Sequence, residues 1–138
     1  MSQEVTISLR VRYSETDQMG IVYYANYLTW FEVGRTEYCR ILGTPYSHWE
    51  KEGILLPVVE ASCRYKASAR YDDRINITTW VDELKVSSIR FSYRVTREGD
   101  GRLLAEGATR HAFINKEGKL LRAKHPFYTM IQSFMDEK

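Results

Sequence analysis

The chain has 138 residues, with 20 Lys and Arg against 18 Asp and Glu, a formal net charge of +2, and 43% hydrophobic and 28% charged residues. That length fits one domain, residues 1–138, whose core needs no disulfide or metal staple. The near-balance of charge argues against a nucleic-acid binder, and the composition excludes a disordered or fibrous chain.

The start, Met1 to Thr6, carries neither a basic leader nor an apolar stretch, so no signal peptide is expected. Val5, Ile7, Leu9, Val11 and Tyr13 alternate with polar residues, which predicts a strand with one buried face. A turn-like stretch from Ser14 to Gly20 follows. From about Tyr23 the period lengthens: Tyr24, Tyr27, Leu28, Phe31, Tyr38, Ile41 and Leu42 mark a helical stripe, stopped by Gly43 and Pro45. Trp30 and Val33 fall on the opposite side, so this helix reads as one that is wrapped on most sides. Tyr46 to Glu52 predicts a short helix.

Strands are then predicted over Leu56 to Tyr71, Arg74 to Leu84, Val86 to Arg97 and Leu103 to Asn115. Within them Ile75, Ile77, Thr79 and Val81 share one face, and Glu98-Gly99-Asp100-Gly101 and Lys116-Glu117-Gly118-Lys119 are turns. Pro126 opens a last helix carrying Phe127, Met130, Ile131 and Phe134. One long helix followed by strands on short connections predicts an α+β fold, the helix packed on an antiparallel sheet. The most apolar run, Ile54 to Val59, is broken by Pro57 and is far shorter than the roughly 20 residues that cross a bilayer. Cys39 and Cys63, far apart and without a secretory signal, are expected to be reduced and buried. Together these features predict a cytoplasmic protein without membrane or nucleic-acid partners.

The chain has no GxGxxG, P-loop, GxSxG, HExxH or CxxC motif. His48, His111 and His125 show no metal-ligand spacing, and His111 reads as a hydrogen-bonded structural histidine. No metal or organic cofactor is expected. The segment that carries chemistry runs from Tyr13 to Tyr27, where Asp17 stands a few residues before the helix and Gly20 permits a tight turn. N–H groups of a first helical turn lack intrahelical partners and can hold a developing oxyanion. A carboxylate beside such a site suits acyl transfer to water, although an aspartate there can also serve as a cap.

Thr16 to Tyr27, with Trp30-Phe31-Glu32-x-Gly34-Arg35-x-Glu37, Leu56-Pro57, Tyr71-Asp72-Asp73, Ile77-Thr78-Thr79-Trp80 and Phe91-Ser92-Tyr93-Arg94-Val95, resembles the 4-hydroxybenzoyl-CoA thioesterase family over nearly the whole chain. The resemblance implies a hotdog fold, a long central helix wrapped by an antiparallel sheet, assembled as a homodimer or homotetramer with active sites between subunits. It implies an acyl-CoA thioesterase in which Asp17 is nucleophile or general base and the backbone N–H of Tyr24 holds the oxyanion. In the branch associated with the Tol-Pal envelope system the position of Tyr24 is usually His, so this chain resembles the hydroxybenzoyl type there. A thiolate leaves readily, since its parent thiol has a pKa near 8.5, so thioester cleavage needs little acid assistance.

Tyr13, Tyr23 and Tyr27 are candidate pocket residues, as are Pro57, Val58 and Val59, which match a strand beside the family's active site. Lys66, Arg90 and Arg122 are candidates for the coenzyme A phosphates. A thioesterase acting on acyl-carrier protein, or a non-catalytic acyl-CoA-binding domain, would present a similar basic patch. Glu32 and Arg35, three apart on the helix, are expected to form a salt bridge, with Glu32 or Glu37 the rival catalytic carboxylate. Asp72 and Asp73 read as turn residues.

Overall fold

The computed structural model describes residues 3–137; Met1, Ser2 and Lys138 of the expected 1–138 domain lie outside the described residues. Strands β1 (Val5–Arg10), β2 (Val58–Tyr65), β3 (Arg74–Leu84), β4 (Ser88–Arg97) and β5 (Leu103–Ala112) form one antiparallel sheet in the order β1-β3-β4-β5-β2. Helices α1 (Asn26–Ile41) and α2 (Tyr46–Lys51) lie between β1 and β2, and α3 (Pro126–Met135) closes the chain. β3, β4 and β5 pair as a meander, with Ile77 opposite Val95 and Tyr93 opposite Gly107. β1 joins beside β3, and β2 beside β5, which makes β1 and β2 the two edges.

Period-two alternation decides which face is buried. Ile75, Ile77, Thr79 and Val81 of β3, with Ile89, Phe91, Tyr93 and Val95 of β4, are each 1% exposed or less. Against this face α1 lays Tyr27, Trp30, Phe31, Gly34, Tyr38 and Cys39, the three- and four-residue steps of one helical stripe. Phe31 stacks on Tyr93 with ring centroids 4.3 Å apart and planes within 4°. Gly34 sets the depth of that packing: a Cβ there would lie 2.9 Å from Ile77 Cγ2 and closer still to Thr79 Oγ1. Pro126 begins α3 as the sequence predicts, and the preceding His125 caps it, Nδ1 accepting from Tyr128 N at 3.1 Å.

Two expectations about α1 are corrected. Trp30 is buried at 1% exposure, whereas Leu28 and Ile41 of the expected stripe are exposed with Val33, so β1, β2, β3 and β4 meet the helix along one stripe, as the expected hotdog arrangement requires, and leave its other side open. The sequence distributes apolar residues around α1 more widely than five strands can contact. Several element ends also move. β1 stops at Arg10 because Tyr13–Glu15 form a 3-10 turn. β2 is shorter than Leu56 to Tyr71 because Lys66 N and Ala67 N both turn onto Leu104 O, which closes the ladder. β4 starts at Ser88 and β5 ends at Ala112, while β3 runs from Arg74 to Leu84 as predicted. Among the described residues no helix is long and apolar enough to cross a membrane.

Candidate active site

The segment between β1 and α1 is held from both ends. Asp17 N donates to Ile21 O at 2.9 Å, Gly20 N donates to Asp17 O at 3.0 Å, and Asp17 Oδ1 accepts from Met19 N at 2.8 Å. Gly20 sits at φ +78°, which closes this turn without the strain a side chain would bring. Ile21 and Val22 then dock the turn, Ile21 bridging Arg70 and Val22 N donating to Ala69 O at 2.9 Å. Asp17 is half-buried, and among the described residues its second carboxylate oxygen accepts no hydrogen bond.

Glu15, which the sequence reading passed over, fixes the other side. It is 6% exposed; Oε1 accepts from Arg12 N at 2.8 Å and Oε2 from Trp30 Nε1 at 3.0 Å. Its carbonyl oxygen accepts from Tyr23 N and from Asn26 Nδ2, both at 2.8 Å. The buried carboxylate therefore ties the 3-10 turn to the first turns of α1.

At the start of α1, Asn26 N donates to Tyr23 O and Leu28 N to Ala25 O. Ala25 occupies the N-cap position and has no side chain that can accept. Among the described residues the N–H groups of Tyr24 and Ala25 have no acceptor. Tyr65 of β2 reaches this point and donates from its hydroxyl to Tyr24 O at 3.0 Å. Its own hydroxyl is pushed up to about 12, first by burial and then by Cys63. The Tyr23 hydroxyl is raised chiefly by its hydrogen bond with Tyr24, with the Asp17 charge adding a smaller push.

Of the predicted site residues, Tyr24, Tyr27 and Lys66 come together with Tyr65 around a groove of about 300 Å³. Tyr27 is buried and its hydroxyl accepts from Ala69 N at 3.3 Å, so it also carries the fold. Lys66 Nζ lies 3.8 Å from Glu106. Tyr13 stands apart, 75% exposed and edge-on to Tyr71. Pro57, Val58 and Val59 are exposed at the start of β2 and do not border the groove. Arg90 points from the sheet face opposite α1, where it pairs with Asp82 beside Ser92. Arg122 is exposed between β5 and α3. Asp73 Oδ2 accepts from Arg70 N at 2.9 Å, and Asp72 sits at φ +70°, both as turn residues. Cys39 and Cys63 are free thiols, but only Cys39 is buried as expected; Cys63 is half-buried because it lies on the edge strand β2.

A second cavity of about 220 Å³ lies beside the middle of α1, lined by Glu32, Arg35, Thr36, Cys39, Tyr46, Leu56, Phe91 and His111. The expected Glu32–Arg35 salt bridge does not form: among the described residues no carboxylate lies within 4.0 Å of Arg35. Three-residue spacing allows that pair, but the Arg35 charge acts instead on Tyr93, whose hydroxyl burial raises and Arg35 pulls back down. His111 is hydrogen-bonded as expected, Nδ1 to Leu56 O at 3.0 Å and Nε2 to Thr109 Oγ1 at 2.8 Å. Because Leu56 O can only accept, Nδ1 carries the proton and Nε2 accepts from Thr109, which is bonded in turn to the Tyr93 hydroxyl at 2.5 Å. Burial pushes Cys39 up to about 12, an inert thiol.

The family model for the thioesterase-like superfamily matches residues 11–134. YneP of Bacillus subtilis (strain 168) is 40% identical over 109 residues, covering 79% of this chain and 78% of that protein. The 4-hydroxybenzoyl-CoA thioesterase of Pseudomonas sp. (strain CBS-3) is 28% identical over 131 residues, covering 89% of this chain and 92% of that one. Among solved structures, a DHNA-CoA thioesterase from Staphylococcus aureus superposes with a TM-score of 0.86 at 33% identity, covering 94% of this chain and 91% of that chain.

Proposed function

The chain belongs to the thioesterase-like superfamily, and on that premise we propose that it hydrolyses an acyl-CoA thioester to the free acid and coenzyme A, with Asp17 as the reacting carboxylate. The observation that carries this reading is that one connection, between β1 and α1, bears both a carboxylate oxygen left without a partner, on Asp17, and the acceptor-free N–H groups of Tyr24 and Ala25. The substrate carbonyl oxygen would accept from the Tyr24 N–H, and the negative charge that develops on it would be held at the positive end of α1. Asp17 then attacks the carbonyl carbon to give a mixed anhydride that water opens, or takes a proton from the attacking water. On either route the C–S bond breaks and the thiolate departs.

The active assembly is a homodimer or homotetramer of a cytoplasmic enzyme. β2 supports this, because it is a sheet edge on which Val58, Val59 and Tyr65 are 47%, 59% and 47% exposed. Such an edge invites strand pairing. A second copy pairing antiparallel about the middle of β2 would set its Val58 opposite Tyr65 and its Val59 opposite Arg64, next to the groove at Tyr24. Lys66 and Arg122 remain candidates for the coenzyme A phosphates; Arg90 would first have to leave Asp82.

The test is free-thiol release from short, medium, long, benzoyl and hydroxybenzoyl CoA thioesters, with Asp17→Asn beside the wild type. Losing a base or nucleophile should lower kcat by roughly 100-fold or more with little change in substrate affinity. Unchanged turnover in Asp17→Asn would remove Asp17 from the reaction.

A further inference from the structure

Arginines elsewhere in the chain are either exposed or paired with carboxylates. Arg10, Arg12, Arg40, Arg74, Arg90, Arg94, Arg97 and Arg110 each have an acidic partner. Arg64, Arg70, Arg102 and Arg122 lie in water. Among the described residues, Arg35 alone is half-buried without a carboxylate within reach, and it borders the cavity of about 220 Å³ beside α1. An uncompensated cation in a partly dry site costs stability unless a counter-charge arrives. Its field reaches the surrounding groups: it adds to the burial that lowers His111 and opposes the burial that raises Cys39, Tyr46 and Tyr93. Both ring nitrogens of His111 are already bonded within the protein, and the Tyr46 hydroxyl accepts from Leu56 N at 3.0 Å. With His111 held neutral by burial, Arg35 is the cationic group of this cavity.

The cavity lies on the helical face that leads from the oxyanion N–H groups. Tyr24, Leu28, Glu32, Arg35 and Cys39 follow one another at three- and four-residue steps. From Asn26 to Arg35 the helix rises about 13 Å, and an arginine side chain leans back toward the N-terminus and shortens that gap. An eight-carbon chain spans about 9 Å between its end carbons at ordinary bond lengths. We propose that this cavity takes the far end of the acyl group and that Arg35 selects thioesters whose acyl chain ends in a carboxylate. The guanidinium offers a planar fork that matches a carboxylate with two parallel hydrogen bonds. Leu56, Phe91 and Cys39 supply apolar wall for the methylenes before it. Glu32 shares the rim but is exposed, so water screens its charge from an incoming carboxylate.

The inference rests on the thioesterase reading, and its test separates the two. Octanedioyl-CoA, octanoyl-CoA and 8-hydroxyoctanoyl-CoA are compared as substrates of the wild type, Arg35→Met and Arg35→Lys. The wild type should prefer octanedioyl-CoA over octanoyl-CoA by at least about 10-fold in kcat/KM, a lower bound well under the roughly 10,000-fold by which a buried site built for a polar group rejects an analogue lacking it. Arg35→Met should collapse that ratio toward one, and Arg35→Lys should restore part of it. Equal use of octanedioyl- and octanoyl-CoA by the wild type, or a ratio untouched in Arg35→Met, overturns the assignment while leaving the thioesterase reading intact. A preference for the hydroxy substrate over the carboxylate overturns it too. Should no thioester be hydrolysed, calorimetric binding of the same three compounds decides the matter, with tighter binding of octanedioyl-CoA the supporting result and equal binding the refuting one.

Discussion

Acidification from pH 7 to pH 4 should destabilise the fold by about 3 kcal/mol through His111 alone. Burial is the main cause that lowers this imidazole from 6.5 to about 4, the Leu56 carbonyl opposes it, and the Arg35 charge adds to the fall. The hydrogen bonds give the same direction: a protonated ring would lose the bond that Nε2 accepts from Thr109 and would meet the Arg35 charge without a carboxylate beside it. The unfolded chain takes up a proton near pH 6.5, whereas the folded chain resists it down to about 4. Stability from this group is thus complete above about 6.5, is lost as pH falls through that window, and is level below it. Urea unfolding at one fixed protein concentration, at pH 7, 5.5 and 4, should be run on the wild type and on His111→Gln. His125 is also lowered by burial and shifts both curves alike, so the quantity to follow is the difference between the two proteins. That difference should shrink by about 3 kcal/mol toward pH 4; a constant difference across the range would show that His111 is not held neutral.

Packing and anchoring give two further expectations. Gly34→Ala drives a methyl into Thr79 and Ile77, 2.9 Å from the latter's Cγ2; such overpacking should cost about 1–3 kcal/mol in chemical denaturation, and an unchanged midpoint would show that α1 can lift off the sheet freely. Glu15→Ala leaves Trp30 Nε1 and Arg12 N without their acceptor, with an expected loss of about 1–3 kcal/mol and a lower kcat because the turn bearing Asp17 loosens. Wild-type stability together with wild-type turnover in that variant would dismiss the anchoring role.

What the sequence made legible follows from how local each signal is. β3 is bounded by Arg74 and Leu84 as its alternation predicts, since a strand with one buried face writes its register into every second residue. α1 ends where Gly43, at φ +99°, permits the chain to leave it. Periodicity does not place Trp30, because apolar residues surround α1 and only the sheet decides which stripe is covered. The Glu32–Arg35 pair failed for a similar reason: spacing on a helix allows two side chains to meet, but the Arg35 charge acts instead on a hydroxyl of a neighbouring strand, Tyr93. Glu15 had no visible signal beyond its charge, because its partners are a backbone N–H and an indole fifteen residues away.

Glu15 and Asp17 stand two residues apart in the stretch Glu-Thr-Asp, and nothing in that tripeptide assigns them different work. Their hydrogen bonds do. Glu15 is buried with both carboxylate oxygens engaged and its carbonyl shared between Tyr23 and Asn26, which leaves it no capacity for a substrate. Asp17 is half-buried and uses one oxygen to close its own turn. A fully satisfied carboxylate holds structure, whereas one with a free oxygen has the capacity that the proposed reaction asks of Asp17. The division also explains why the turn can be short and still well placed. Glu15 fixes its position from inside the fold, so Asp17 needs no partner of its own beyond Met19, and its second oxygen is left unengaged among the described residues.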